Sequence, residues 1–251
     1  MEFNALVAQA LRTDLEGWDF DAFFAGRYVE TPPSWDFARL VKSRLAEVDS
    51  LLDLGTGGGE LLASLAPLPP RTAATEGFAP NVPVARERLT PLGVEVADVT
   101  DAEDDALPFP DHSFALISSR HESYDPKEIR RVLRPGGVFV TQQVGGHDLE
   151  EVNAALGAPE HGYREWTLDA AVAGLEAEDF EILARREERP AATFTDVGAV
   201  VSFVRIAPWQ IPDFDVERYR DRLRALHERM ERDGGLRVRT HRFVIVARSR
   251  A

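Results

Sequence analysis

The chain has 251 residues, 44% of them hydrophobic and 29% charged, which suits one substantial globular domain and excludes a disordered or fibrous chain. It has no cysteine, so disulfides, thiolate metal sites and cysteine nucleophiles are excluded, and its six histidines form no closely spaced metal-binding pair. Lys+Arg of 29 against Asp+Glu of 43 leaves a formal net charge of −14, which disfavours a nucleic-acid partner because that binding draws on neutralising phosphates.

From the N-terminus to about Leu45 the pattern is helical but crowded with aromatics: Trp18, Phe20, Phe23, Phe24, Tyr28 and Trp35. Residues 50–54 are a short apolar run ending in glycines, as a buried strand would be. A short helix over 60–65, a strand over 71–75 and a helix over 82–89 follow. Residues 94–97 alternate as a third strand, and 114–118 form an apolar fourth. A helix over 125–133 is stopped by Pro135-Gly136-Gly137, and 138–144 is a fifth strand. After Gly146 the spacing predicts helices over 168–175 and 197–204, a strand over 180–184, a long charged helix over 216–232 and an alternating last strand over 236–247. Strands alternating with helices through short loops predict an α/β fold: a doubly wound, mostly parallel sheet of seven strands with helices on both faces. An N-terminal helical cap (1–47) precedes the core (48–146), and 147–251 completes the same sheet with inserted helices.

The sharpest signal is Asp53-Leu54-Gly55-Thr56-Gly57-Gly58-Gly59-Glu60, at a strand-to-helix turn. Glycines there let the backbone turn tightly and approach a ligand closely. A dinucleotide site needs a third glycine where Glu60 stands, and a pyrophosphate would meet Asp53 and Glu60 at the turn. Two carboxylates suit a ligand with cationic parts and no phosphate.

These residues resemble the first motif of the class I S-adenosylmethionine-dependent methyltransferases, an acidic residue followed by alternate glycines, here Asp53, Gly55, Gly57 and Gly59, with Thr56 inside the turn. The pattern is similar to that of the type 11 methyltransferase domain. Three further stretches match. Glu76, at the end of the second strand, stands where the family's acidic residue accepts hydrogen bonds from the ribose hydroxyls. Asp101-Ala102-Glu103 with Leu107-Pro108-Phe109-Pro110-Asp111-His112-Ser113-Phe114 resembles the third and fourth motifs, whose acidic residue bonds the adenine amino group. Two extra residues separate Asp101 from Leu107 there and Asp98 lies nearer the strand end, both of which count for Asp98, yet Asp101 ranks ahead of it. Leu133-Arg134-Pro135-Gly136-Gly137-Val138-Phe139 matches the turn into the fifth strand. Phe114-Ala115 departs from the usual Phe-Asp at a mostly structural position. The resemblance spans about 48–145. It implies a Rossmann-like methyltransferase fold, a single methyltransferase domain over 1–251, S-adenosylmethionine as cofactor and transfer of its methyl group.

In this family the residues after the fourth strand face the methyl group: Ser119-Arg120-His121-Glu122-Ser123-Tyr124. Ser119 is a candidate cofactor contact. His121 could remove a proton from the acceptor, or orient the cofactor or a neighbouring loop. Arg120 could hold an acceptor carboxylate through its planar fork or pair with the chain's abundant acids. Gln142 and Gln143 alternate faces, so at most one points into the ligand crevice. Tyr28 or Trp35 from the cap, and Phe203, Trp166 or Trp209 from the C-terminal side, could wall the site, against the plainer reading of core packing. The charge of −14 favours a small-molecule acceptor over RNA or protein. A cofactor-binding protein without turnover is equally compatible with the motifs. No apolar run approaches the roughly 20 residues that cross a bilayer, and Met1-Glu2-Phe3-Asn4 begins no signal segment, so a cytoplasmic location without membrane association is expected.

Overall fold

The computed structural model describes residues 2–13, 23–101, 106–160 and 162–250. Trp18, Phe20 and the Ala102-Glu103 part of the third-motif reading lie outside the described residues. The strands in chain order are β1 (Tyr28–Glu30), β2 (Ser50–Leu54), β3 (Arg71–Glu76), β4 (Glu95–Asp98), β5 (Phe114–Arg120), β6 (Leu133–Val144), β7 (Phe180–Glu188), β8 (Ala191–Phe194), β9 (Leu236–Arg239) and β10 (Arg242–Ser249). Seven form one sheet in the order β4-β3-β2-β5-β6-β10-β7, and β1-β8-β9 form a second. The chain divides into two compact units. One comprises Ser34–Gln143, Thr167–Glu187 and Phe243–Ala251; the other comprises Met1–Pro33, Val144–Trp166 and Glu188–Arg242.

The first unit carries the seven-stranded, mostly parallel sheet. Parallel ladders join β4 to β3, β3 to β2, β2 to β5 and β5 to β6. Every residue of β2 is buried, the mark of a central parallel strand covered on both faces. At the edges β4 carries Glu95 and Asp98, and β7 carries Glu181, Arg185 and Arg186, charges that discourage pairing with another chain. The helix Phe37–Leu45 shows how the covering layer forms: Phe37, Val41 and Leu45 recur at a spacing of four and are buried. Asp36 caps it by accepting the Arg39 N–H at 3.0 Å. Successive strands run outward from β2 to β4 on one side, and the chain then crosses to β5 and β6 on the other. The order therefore reverses between β2 and β5, and a ligand crevice belongs outside the carboxyl ends of such strands. No helix among the described residues is long and apolar enough to cross a membrane.

The second unit pairs β1 with β8 and β8 with β9, both antiparallel, with Tyr28 opposite Phe194 and Phe194 opposite Leu236. Phe24, Phe194, Val200 and Leu223 belong to its core, to which the helices Phe3–Arg12, Val197–Ile206 and Arg220–Asp233 contribute. Arg242 is buried between two acids: its guanidinium meets Asp148 Oδ1 at 2.5 Å and Glu30 Oε2 at 3.2 Å.

Two sequence expectations are corrected here. The N-terminal stretch is not wholly helical, since Tyr28–Glu30 is a strand. The run 236–247 is two strands in two different sheets, parted at Thr240-His241. Alternation continues through 236–247 and carries no sign of a change of partner. The strands β1, β8 and β9 are three or four residues long and pair with segments remote in the chain.

Candidate active site

The chain leaves β2 at Leu54 and turns through Gly55, Gly57 and Gly59, all in the left-handed region at φ +59°, +63° and +80°. A Cβ at Gly59 would meet Leu89 Cγ at 2.7 Å, and one at Gly55 would collide with the Glu122 side chain. Thr75, near the end of β3, staples the turn: its carbonyl accepts the Thr56 N–H at 2.9 Å and its hydroxyl accepts the Gly55 N–H at 3.2 Å. Glu76 Oε2 accepts the Gly57 N–H at 2.6 Å, and Oε1 accepts the Phe78 N–H at 2.7 Å.

Asp53 and Glu76 are only 6% and 4% exposed. The Ser118 hydroxyl donates to Asp53 Oδ1 at 2.6 Å. Burial nevertheless pushes Asp53 up to about 6, with the Ser118 bond and the Arg120 charge acting against it. Burial also raises Glu76, while the N–H groups of Phe78 and Gly57 favour its ionised form. Glu60, the second acid of the sequence argument, is ion-paired with Arg88 on the surface. The carboxylate that accompanies Asp53 at the turn is therefore Glu76.

A cavity of about 120 Å³ lies beyond the strand ends, lined by Leu54, Thr75, Gly77, Val99, Leu107 and Tyr124 among others. Asp98 is the register partner of Glu76. Its carboxylate accepts the Thr100 N–H at 3.1 Å and hydroxyl at 2.6 Å, bonds that hold it below the usual range. Asp101 is exposed, three residues further on. The segment 107–111 is pinned by Arg131, which donates to the carbonyls of Leu107 and Phe109 at 2.9 and 2.7 Å and to Glu128 at 2.7 and 2.8 Å. Glu128 in turn accepts the Leu107 N–H at 2.9 Å. Nothing in the sequence distinguished Arg131 from an ordinary helix-surface arginine.

Ser119 is buried, and its hydroxyl donates to the Glu122 carbonyl at 3.2 Å. Gln143 donates to the same carbonyl at 2.9 Å and to the Thr141 hydroxyl at 2.7 Å. Both thus hold the loop after β5. Arg120 is exposed at the end of β5. His121 follows at φ +66°, an uncommon value outside glycine, and its N–H donates to the Gln142 carbonyl at 2.8 Å. The ring Nε2 of His121 lies 2.9 Å from Gln142 Nε2, and Gln142 Oε1 accepts the Trp35 indole N–H at 2.7 Å. Tyr124 packs edge-on against Phe139, and burial pushes its phenol up.

The first unit thus brings together Asp53, Gly55, Thr56, Gly57, Gly59, Glu76, Asp98, Asp101, Ser119, Arg120 and His121 at one end of the sheet. Tyr28 belongs to the second unit, its ring 4.6 Å from that of Phe194 and its hydroxyl donating to Glu30 at 3.0 Å. Phe203 lies against the same cluster, and Trp209 is exposed. Thr75, Glu122, Tyr124 and Arg131 are site neighbours that sequence reasoning did not single out for these roles, because each acts through a partner distant in the chain.

Residues 52–141 match the family described as Methyltransferase domain. A malonyl-[acyl-carrier protein] O-methyltransferase from Marinomonas sp. (strain MWYL1) is 28% identical over 193 residues, 68% of this chain and 71% of that protein. The ubiquinone/menaquinone biosynthesis C-methyltransferase UbiE from Chromobacterium violaceum is 32% identical over 119 residues, 43% of this chain and 48% of that protein, so about half of it is spanned. Among solved structures, the YcgJ protein from Bacillus subtilis aligns with a TM-score of 0.58 at 18% identity, covering 86% of this chain and 98% of that one, a likeness of fold. The domain match over residues 52–141 and these relatives support the assignment of the chain as a class I S-adenosylmethionine-dependent methyltransferase. It is an enzyme of that class with S-adenosylmethionine as cofactor, and its core carries the Methyltransferase domain.

The residues present fit that cofactor. Two buried carboxylates with raised pKa values suit a ligand bearing an ammonium, a sulfonium and hydroxyls but no phosphate, while the space beside Gly55 and Gly59 is taken by Glu122 and Leu89.

Proposed function

We propose that this methyltransferase acts on a small-molecule acceptor in the cytoplasm, with the whole chain 1–251 serving as one enzyme. The reading rests chiefly on the burial of Asp53 and Glu76 at the glycine turn beside the reversal of strand order. S-adenosylmethionine supplies a methyl group on an excellent leaving group, so the chain's part is to bind, align and exclude water. Gly55, Thr56, Gly57 and Gly59 let the backbone approach the ligand. Asp53 answers its positive charge. Each Glu76 oxygen already accepts one backbone N–H and keeps further lone-pair capacity for the ribose hydroxyls. Asp101 stays ahead of Asp98 for the adenine amino group; Thr100 engages only Oδ1 of Asp98, so Asp98 keeps an oxygen for the same role. Ser119 sets the loop that carries Arg120 and His121 on the acceptor side. Tyr28, in the second unit, stays a candidate cofactor contact from the cap, with its hydroxyl donating to Glu30.

A small acceptor is supported by the net charge of −14 and by the quinone-biosynthesis role named for the Chromobacterium relative, while the acceptor named for the Marinomonas relative is an acyl group carried on a protein. The test is incubation with methyl-labelled cofactor and three fractions: metabolites, RNA and proteins. Label in the metabolite fraction is the expected result. Label only in RNA or protein overturns the acceptor class, and cofactor binding without label in any fraction makes the chain a binding protein.

A further inference from the structure

Trp35 is buried, and its indole nitrogen is a donor only. Its bond to Gln142 Oε1 at 2.7 Å therefore settles which end of that amide is oxygen. With the amide reversed, two N–H groups would face each other at a site closed to water. The Gln142 nitrogen must then face the other way, where it stands 2.9 Å from His121 Nε2. An amide nitrogen has two N–H donors and no free lone pair, so it donates, and the imidazole nitrogen it meets must carry the lone pair. The proton of a neutral His121 ring is left on Nδ1. A second tie keeps the two residues in register, the His121 N–H donating to the Gln142 carbonyl at 2.8 Å.

We propose that His121 works as a neutral imidazole in one tautomer, a hydrogen-bond donor through Nδ1–H, with Trp35 and Gln142 as the positioning residues that fix it. The proposal rests on the methyltransferase reading of the site and deepens it. A proton arriving at Nε2 would set one N–H against another and break the Gln142 bond, while Nδ1 already carries its hydrogen. His121 therefore takes no proton from the acceptor. The acceptor this fits is a nucleophile that arrives with its electron pair available and releases no proton on methylation: a carboxylate, an enolate or an acidic phenolate. Its lone pair forms the bond to the methyl carbon as the carbon–sulfur bond breaks, the electrons of that bond stay on sulfur, and no proton passes to the histidine.

Nitrogen-15 NMR of the full chain labelled at histidine tests this, with the His121 signals assigned by their loss in His121→Asn. The expected spectrum at neutral pH has the proton on Nδ1 and a lone pair on Nε2, and Trp35→Phe should shift the ring toward the Nε2–H form. A parent ring protonated at Nε2 overturns the proposal, whether or not methyl transfer is found, so failure here is distinct from failure of the enzyme reading. Turnover supplies the second arm. Asparagine tolerates the positive φ and places an amide N–H close to where Nδ1–H stands. His121→Asn should keep turnover within about tenfold of the parent, and His121→Ala should fall further, by about 10–100-fold. Equal losses on the order of 10²–10⁴-fold in both variants would show a general base. Full turnover in His121→Ala would also overturn the proposal.

Discussion

Asp53 titrates near 6 because burial strips water from its carboxylate and Ser118 returns a single short bond. A folded-state pKa raised above 3.8 means that ionising the group costs folding stability. The cost is absent below the ordinary value, grows as pH rises from about 3.8 to about 6, and is fully present above that, at about 3 kcal/mol. Asp53→Asn should therefore stabilise the cofactor-free chain by up to about 3 kcal/mol at pH 7.5, a gain that shrinks as pH falls through this window. Denaturant melts at several pH values would read it, and a pH-independent gain would contradict the assignment. The same variant should bind S-adenosylmethionine more weakly, since the ligand's positive charge loses its buried counterpart. Glu76 is held differently, by two backbone N–H groups. Glu76→Gln turns an amide toward one of those donors and removes the charged acceptor. Its cofactor affinity should drop by about 1–3 kcal/mol with the fold intact, as calorimetry and a melt would show together.

At the level of elements, the glycine turn is a packing device as well as a ligand cradle. Gly59 sits at φ +80° directly under Leu89 of the helix Asn81–Leu89. Alanine there faces both the left-handed backbone and the Leu89 side chain, so Gly59→Ala should cost about 1–3 kcal/mol of stability, with affinity falling as the turn shifts. An unchanged melting temperature would mean that the helix simply moves aside. The segment 107–111 depends instead on the helix Pro126–Val132, whose Arg131 and Glu128 occupy its backbone groups. Its motif is recognisable in the chain, but its position comes from a helix that follows it.

At the scale of the whole molecule, each unit has its own means of burying charge. In the second unit Arg242 bridges Asp148 and Glu30, and Asp148 also accepts the His241 N–H at 2.7 Å. Arg242→Met would leave both acids without their cation. The expected cost is about 3–5 kcal/mol, seen as a lower denaturation midpoint; a loss under 1 kcal/mol would mean that water reaches the acids. Ion pairs on exposed surface, such as Arg185 with Asp169, contribute little.

The alternation of strands and helices, the glycine turn and the acid ending the second strand are all legible in the chain because each leaves a local trace: a period, a run of residues able to take positive φ, or a charge closing an apolar segment. Those traces place β2 through β6 and the residues Asp53, Gly55, Gly57, Gly59 and Glu76. Tertiary structure alone decided that 236–247 parts into β9 and β10, and that Tyr28–Glu30 joins Ala191–Phe194 in a second sheet. It alone decided that Glu60 belongs to Arg88 and that Trp35 reaches Gln142 and, through it, His121. These are hydrogen bonds and ion pairs between segments remote in sequence, and the choice of partner across such a distance follows from the packed fold and leaves no period in the order of the residues.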